Sequence, residues 1–258
     1  MSSILPQSQP FHRPPSVYER LMPEPSFAPF SAQHGMAVLV GIIGIATFVT
    51  LGRRGGKCER ITRAVLAFIN LAVFGLSQWA WSKVTREIGM DNAIPLHLCD
   101  LAAFLAGFAL ITGNKTCALL TYFWGLAGTI QGVITPAIDI GFPHPAFFSF
   151  FIHHFAVITA AIYLPVVTKW RVETPLWRSP LKAFGWVNVY VVVAIIANHL
   201  MGTNYGFLAG KPANPSVLDH LGPHPGYIFW LEMIALLFFF LLALPLHSRP
   251  SKARSGSA

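Results

Sequence analysis

The residues best suited to chemistry are a cysteine, several histidines and two acids that interrupt long apolar stretches. Cys99 is the strongest candidate nucleophile, because a thiol can attack an ester carbonyl and hold the acyl group as a thioester. Pro95 suits the first turn of a helix, which places Cys99 just past that turn, where the helix dipole gives a thiolate only weak support. Its neighbour Asp100 opposes a thiolate. Cys99 therefore needs a base.

The base for Cys99 must come from another helix, because His97 is two residues away and about 200° around its own helix. His154 has a suitable depth, about two turns into a later apolar segment. Glu232 lies at a similar depth in the last segment and would orient that histidine. We therefore predict Cys99 as nucleophile, His154 as general base and then general acid, and Glu232 as the orienting acid. A helix-end amide, His97 or Asn198 would stabilise the oxyanion.

Further polar residues lie toward the same ends of their apolar segments as Cys99. Two loops place a histidine between two prolines ahead of a helix, and residues 202–211 form a turn-rich segment that would fold back as a lid. The alternative interpretation is that these groups are simply close to water. Ionisable groups in hydrocarbon are costly and normally face a bundle interior. We therefore predict a polar cavity with these substrate-binding residues: His97, Asp100, Gln131, His144, Asn198, Asn204 and Lys211.

The composition explains why these residues must be positioned by membrane helices. The chain has 258 residues, of which 54% are hydrophobic and only 11% charged, whereas soluble domains carry about 25% charged residues. This excludes a soluble globule, a disordered chain and a disulfide-stapled secreted domain. The apolar residues form runs long enough to cross hydrocarbon as helices. We predict an all-α polytopic membrane protein with seven transmembrane helices, at residues 36–51, 64–81, 96–112, 117–137, 147–168, 183–203 and 226–246.

The distribution of Lys and Arg predicts the orientation in the membrane. One alternate set of connecting segments holds 13 of the 18 basic residues, and positive residues favour the cytoplasmic side. The N-terminus is therefore predicted outside and the C-terminus inside, with Cys99 toward the outer face of a cell membrane. The net charge of +8 then follows from topology, and no nucleic-acid partner is predicted. Residues 1–33 are a Pro-rich disordered tail, 34–247 the transmembrane domain and 248–258 a basic tail.

Other functions use the same polar residues. A small-solute or proton-coupled transporter would use His154, His199 and Glu232 as a relay, although seven spans do not divide into two equal repeats. A receptor or non-catalytic scaffold is a further alternative. A retinal protein is disfavoured, because no span contains a lysine for a Schiff base. Histidines at the same end leave a metal site open, but no His-x-x-x-His spacing supports one, so no metal or cofactor is predicted. No oligomeric state is predicted.

Several ordered motifs resemble the YwaF family of bacterial membrane proteins. They are residues 95–100 (PLHLCD), 122–129 (YFWGLAGT), 142–144 with Phe150, Phe151 and His154, and 202–205 with Lys211 and Pro212. The resemblance runs from the third span to the end, and residues 1–60 match only in character. The family is similar to transmembrane protein 164 of animals, an acyltransferase that moves fatty acyl groups onto ether lysophospholipids.

The resemblance implies a lipid acyltransferase or acyl hydrolase, with membrane lipids as substrates. Cys99 corresponds to the cysteine regarded as catalytic in the His-x-Cys segment, so it would accept the acyl group. The histidine that ends the Phe-Phe-x-x-His stretch corresponds to His154, which makes His153 an extra histidine in this chain.

Overall fold

A computed structural model describes residues 25–84, 93–212 and 216–246. Seven long helices form the described part of the chain: α1 (Ala32–Arg53), α2 (Gly56–Trp81), α3 (Leu98–Thr112), α4 (Lys115–Ile134), α5 (Pro145–Val166), α6 (Arg178–Met201) and α7 (Gly226–Ala243). All except α3 are long and apolar enough to cross a membrane, and α3 is a shorter apolar helix. The described residues contain no strand. The predicted all-α architecture with seven helical spans is confirmed, and the orientation of the termini stays a prediction.

Helix α5 lies at the centre of the bundle. It packs against α1, α2, α3 and α4, and most of its side chains are buried, whereas α1 and α7 expose most of their apolar surface, as helices that face lipid do. Pro145 stands at the first position of α5, after the N-cap His144, because proline has no N–H to leave unsatisfied there. Helices α6 and α7 pack against each other and join the bundle through α4.

Helix α2 begins earlier than hydropathy alone predicts, at Gly56 rather than near residue 64. The extra turns carry the basic residues that we assigned to a loop. They remain helical because Arg63 pairs with Glu59 one turn earlier at 2.8 Å. Arg63 also donates to the Leu110 carbonyl at 2.8 Å, which satisfies one of the last carbonyls of α3.

The short helix α3 and its successor α4 are joined by a tight turn. Gly113 ends α3 with a left-handed φ of 68°, and the Asn114 side chain caps α4 by accepting from the N–H groups of Thr116 and Cys117. Because α3 has 15 residues, it is about 22 Å long, against about 30 Å of bilayer hydrocarbon. The helix is therefore about 8 Å shorter than the hydrocarbon layer.

Helix α4 contains a π-helical segment at Trp124–Thr129, of the kind often found at functional sites. Glycines in and after this segment allow two other helices to approach closely. A Cβ atom at Gly128 would lie 2.8 Å from Leu98 of α3, and one at Gly132 would overlap the His154 ring of α5. These two glycines form a close-packing surface.

Residues 25–31, which we assigned to the N-terminal tail, pack against the loop between α4 and α5. The Phe27 N–H donates to the Asp139 carbonyl at 2.7 Å, and the Gly141 N–H donates to the Pro25 carbonyl at 2.6 Å. The Phe27 ring is buried against Phe147 and Phe151 of α5. Residues 32–33 of the predicted tail begin α1. Residues 1–24, and the basic tail at 248–258, lie outside the described residues.

Candidate functional site

Cys99, Asp100 and His153 form a cluster where α3 begins against α5. One ligand atom from each side chain, the thiol sulfur, a carboxylate oxygen and an imidazole nitrogen, lies within 4.8 Å of the other two. The Nε2 atom of His153 lies 3.1 Å from the Cys99 carbonyl oxygen and 3.7 Å from Oδ1 of Asp100. Asp100 and His153 are buried, and Cys99 keeps part of its surface exposed. This is the arrangement of a thiol, a base and an acid.

The local sequence explains the positions of Cys99 and Asp100. His97 is the N-cap of α3, so Cys99 is the second helical residue and Asp100 the third. An acid at the third position reaches back toward the N-cap, and the Asp100 carboxylate interacts with the His97 backbone N–H. The carboxylate is therefore held in place beside the thiol.

The structure brings His153 rather than His154 to Cys99, which corrects the predicted base. Adjacent residues point about 100° apart around a helix, so only one of the two can face α3. The His154 ring faces α4 at Gly132, stacks on Phe150 at a centroid distance of 4.2 Å, and hydrogen-bonds through Nδ1 to the Phe150 carbonyl at 2.8 Å. The histidine that the resemblance treats as extra is the one beside the thiol.

Glu232 does not join this cluster. Its carboxylate interacts with the Asn188 side chain of α6, and no contact with His154 occurs among the described residues. His199, the third member of the alternative relay, has an exposed side chain. The predicted orienting role of Glu232 is therefore not supported by its position, and Asp100 occupies the corresponding place beside the histidine.

Residues 202–211 fold back over the start of α3, and we call them the lid. The buried Asn198 holds the start of the lid through three hydrogen bonds: its Oδ1 accepts from Thr203 Oγ1 at 2.9 Å and from the Tyr205 N–H at 2.7 Å, and its Nδ2 donates to the Tyr205 carbonyl at 3.1 Å. Asn204 holds the other half, because its Oδ1 accepts from the N–H groups of Ala209 and Gly210. Both asparagines shape the loop, and their predicted role in substrate binding stays a prediction.

The remaining predicted binding residues are divided between the lid and other loops. His97 lies under the lid, with its ring 5.2 Å from that of Tyr205. Lys211 ends the lid above the Tyr227 ring and 3.9 Å from Asp219. His144 caps α5 by accepting from the Ala146 N–H at 3.1 Å. Gln131 is partly exposed beside Gly132. The structure thus gathers His97 and Asp100 at the thiol and leaves His144 as a helix cap.

Tyr190 of α6 is a site residue that the sequence did not reveal. Its side chain is buried, and its hydroxyl interacts electrostatically with Cys99 and Asp100. In sequence it is one aromatic residue in an apolar helix, which is typical of a packed core position. No spacing marks its hydroxyl as part of a site.

The cluster offers a sulfur, a nitrogen and an oxygen, which is a donor set that Zn²⁺ accepts. Zinc holds such atoms about 3.5 Å apart, given ligand distances of about 2.0 to 2.3 Å. The three ligand atoms lie within 4.8 Å of one another, so the longest distance between them would have to shorten by about 1 Å to bind an ion. The residues can therefore hold a soft divalent cation as well as act on a carbonyl.

A family model connects this architecture to known proteins. The model of the TMEM164 family matches residues 29–243. The chain belongs to the TMEM164 family. No curated protein and no solved structure matches the chain.

The match begins earlier than the motifs suggested, because it includes α1 and α2 as well as the later helices. The predicted likeness to transmembrane protein 164 is confirmed, while the name YwaF stays a resemblance. The TMEM164 region contains Cys99, Asp100, His153, Tyr190 and the whole lid. The site therefore lies within the part of the chain that the family model matches. The protein is a multi-pass membrane protein.

Proposed function

We propose that the protein is a lipid acyltransferase or acyl hydrolase of the cell membrane that works through an acyl-enzyme on Cys99. The observation that carries the proposal is the cluster of Cys99, His153 and Asp100 at the start of α3, whose ligand atoms lie within 4.8 Å of one another. A phospholipid ester is the natural substrate class, because its carbonyl lies at the edge of the hydrocarbon and can approach the cluster sideways. With the predicted orientation, the substrate comes from the outer leaflet.

The reaction proceeds in two acyl transfers. His153 takes the thiol proton, and the sulfur attacks the ester carbonyl carbon, forming a C–S bond. The ester C–O bond then breaks, and the leaving lysolipid oxygen takes the proton from His153. In the second step an acceptor hydroxyl, from a lysolipid or from water, gives its proton to His153 and attacks the thioester. The C–S bond breaks, and the released Cys99 sulfur takes the proton back from His153. Asp100 stabilises the imidazolium in both steps.

The resting arrangement requires one movement before the first step. The Nε2 atom of His153 is 3.1 Å from a carbonyl oxygen, which can only accept, so this nitrogen carries a proton. To act as a base through Nε2, the ring must break this hydrogen bond and change tautomer, so that the proton is on Nδ1 and the unprotonated Nε2 turns toward the Cys99 sulfur. Catalytic hydrogen bonds commonly tighten only when substrate is bound.

The test is fatty-acyl labelling of the purified protein in lipid vesicles with an alkyne-tagged donor phospholipid, followed by hydroxylamine, which cleaves thioesters. Label should be lost in Cys99→Ala and kept in Cys58→Ala, a partly exposed cysteine at the opposite end of the bundle. Label that follows Cys58 would indicate ordinary lipidation at that end. An unlabelled wild-type protein, folded and tested with several donors, would refute the acyl-enzyme.

A further inference from the structure

The hydroxyl of Tyr190 is buried and has no hydrogen-bond partner among the described residues. The residue as a whole is only 7% exposed. An unmade hydrogen bond in a buried site is unfavourable, and buried hydroxyls are normally paired with protein or water. This hydroxyl is therefore available to a group that the protein does not itself contain.

The Tyr190 side chain packs in the same hydrophobic cluster as Tyr205 of the lid and Leu98 of α3. Its hydroxyl faces the Leu98 backbone N–H and interacts with both Cys99 and Asp100. The lid covers it at Gly206, which has a left-handed φ of 66° and no side chain, and a Cβ there would lie only 2.6 Å from the hydroxyl oxygen. Because glycine has no Cβ, the lid backbone can lie close to the hydroxyl at this position.

The start of α3 presents a second set of donors beside the thiol. The first N–H groups of a helix have no intrahelical acceptor, and the helix dipole makes this end electropositive. The N–H groups of Asp100 and Leu101 donate to the His97 carbonyl. The N–H groups of Leu98 and Cys99 precede them, and no side chain of the N-cap residue accepts from them.

We propose that the Tyr190 hydroxyl and the first N–H groups of α3 form the oxyanion-binding site for acylation of Cys99. This rests on the proposed function. When the sulfur bonds to the ester carbon, the carbonyl π electrons move onto the oxygen, which accepts from the Tyr190 hydroxyl and from the helix start. When the C–O ester bond breaks, those electrons return and re-form the carbonyl. The Leu98 N–H acts on the hydroxyl oxygen, but the O–H group has no acceptor among the described residues, so it gives up no donated hydrogen bond when it binds the oxyanion.

The test compares two reactions of Cys99 in Tyr190→Phe, which removes only the hydroxyl. Acylation by a tagged phospholipid passes through an oxyanion, whereas alkylation by iodoacetamide does not. We expect acylation to slow by about 100-fold or more, alkylation to change less than about twofold, and the thermal midpoint in detergent not to fall. Tyr122→Phe is the matched control, because that hydroxyl donates to the Leu242 carbonyl at 2.8 Å, away from the site. It should leave both rates unchanged.

The other possible results distinguish failure of the oxyanion site from failure of the proposed acyl-enzyme. Unchanged acylation in Tyr190→Phe, with an active wild type, refutes the oxyanion site and leaves the acyl-enzyme intact. An equal fall in acylation and alkylation assigns the hydroxyl to thiol activation and also refutes it. A wild-type protein that alkylates at Cys99 but never acylates refutes the proposed function, and the oxyanion site with it.

Discussion

Replacing His153 should slow the reactions of Cys99, and replacing His154 should not. The His153→Gln variant keeps an N–H that can donate to the Cys99 carbonyl, as Nε2 does now, but it cannot carry a positive charge. The thiolate and the Asp100 carboxylate would then face each other within 4.8 Å with no cation between them. At an effective dielectric constant of about 20, two like charges at this distance repel by about 3.5 kcal/mol.

This repulsion corresponds to a fall of about 300-fold in the thiolate population, since about 1.4 kcal/mol is a factor of ten. The assay is the rate of Cys99 alkylation by iodoacetamide at fixed pH, in a Cys58→Ala and Cys117→Ala background so that one thiol reports. Each variant is first checked for a single folded peak by size-exclusion chromatography. His154→Gln is the control and should stay within about threefold of the parent protein.

The double variant His153→Gln with Asp100→Asn gives a second check. Removing the carboxylate charge removes the repulsion, so the double variant should react faster than His153→Gln alone by most of the same factor. The proposed arrangement of charged groups around the thiol is wrong if His154→Gln is the variant that slows alkylation. It is also wrong if adding Asp100→Asn to His153→Gln does not restore the alkylation rate.

Three further outcomes follow from the packing and the chemistry of the site. Gly132→Ala should destabilise the protein by about 1–3 kcal/mol, because its Cβ overlaps the His154 ring, whereas Gly75→Ala, with open space around it, should not lower the thermal midpoint. Asn198→Ala removes three buried hydrogen bonds and should cost about 2–4 kcal/mol, seen as a lower thermal midpoint and faster proteolysis in the lid. Micromolar Zn²⁺ should slow alkylation of Cys99 by about tenfold or more, reversibly with a chelator, and Mg²⁺ should have no effect; unprotected alkylation would argue against a metal-binding cluster.

The sequence was sufficient for the helices, and it singled out Cys99 as a candidate nucleophile, which stays a prediction. In hydrocarbon every backbone group must be bonded within its own helix, so long apolar runs identify spans without knowledge of the packing. Cys99 was recognisable in the sequence as a thiol next to an acid at the start of a helix. Helix ends were less predictable, as α2 shows: its charged first turns are stabilised by the Glu59–Arg63 pair and by a contact with α3.

The partners of the thiol were not predictable, because they depend on how each helix is rotated and which helices are neighbours. Depth along a helix can be counted from sequence, and by depth both His154 and Glu232 were reasonable. The rotation of α5 is set by its contacts with α3 and α4, which turn His153 toward Cys99 and His154 toward Gly132. Tyr190 lies at the site because α6 and the lid pack around it. No spacing of residues in the sequence indicates either contact.

The shortness of α3 bears on hydrophobic mismatch between the protein and its bilayer. If Thr112 lies at one hydrocarbon boundary, the first turn of α3 stops about 8 Å short of the other. In the proposed reaction an ester carbonyl would then reach the thiol only where that leaflet sinks or thins. Deforming a bilayer costs fractions of a kcal/mol per Å, and shorter lipid chains reduce the distance to be made up. Bilayer thickness thereby becomes a determinant of turnover: vesicles of progressively longer-chain phospholipid should slow the reaction at Cys99 even when headgroup and ester are identical.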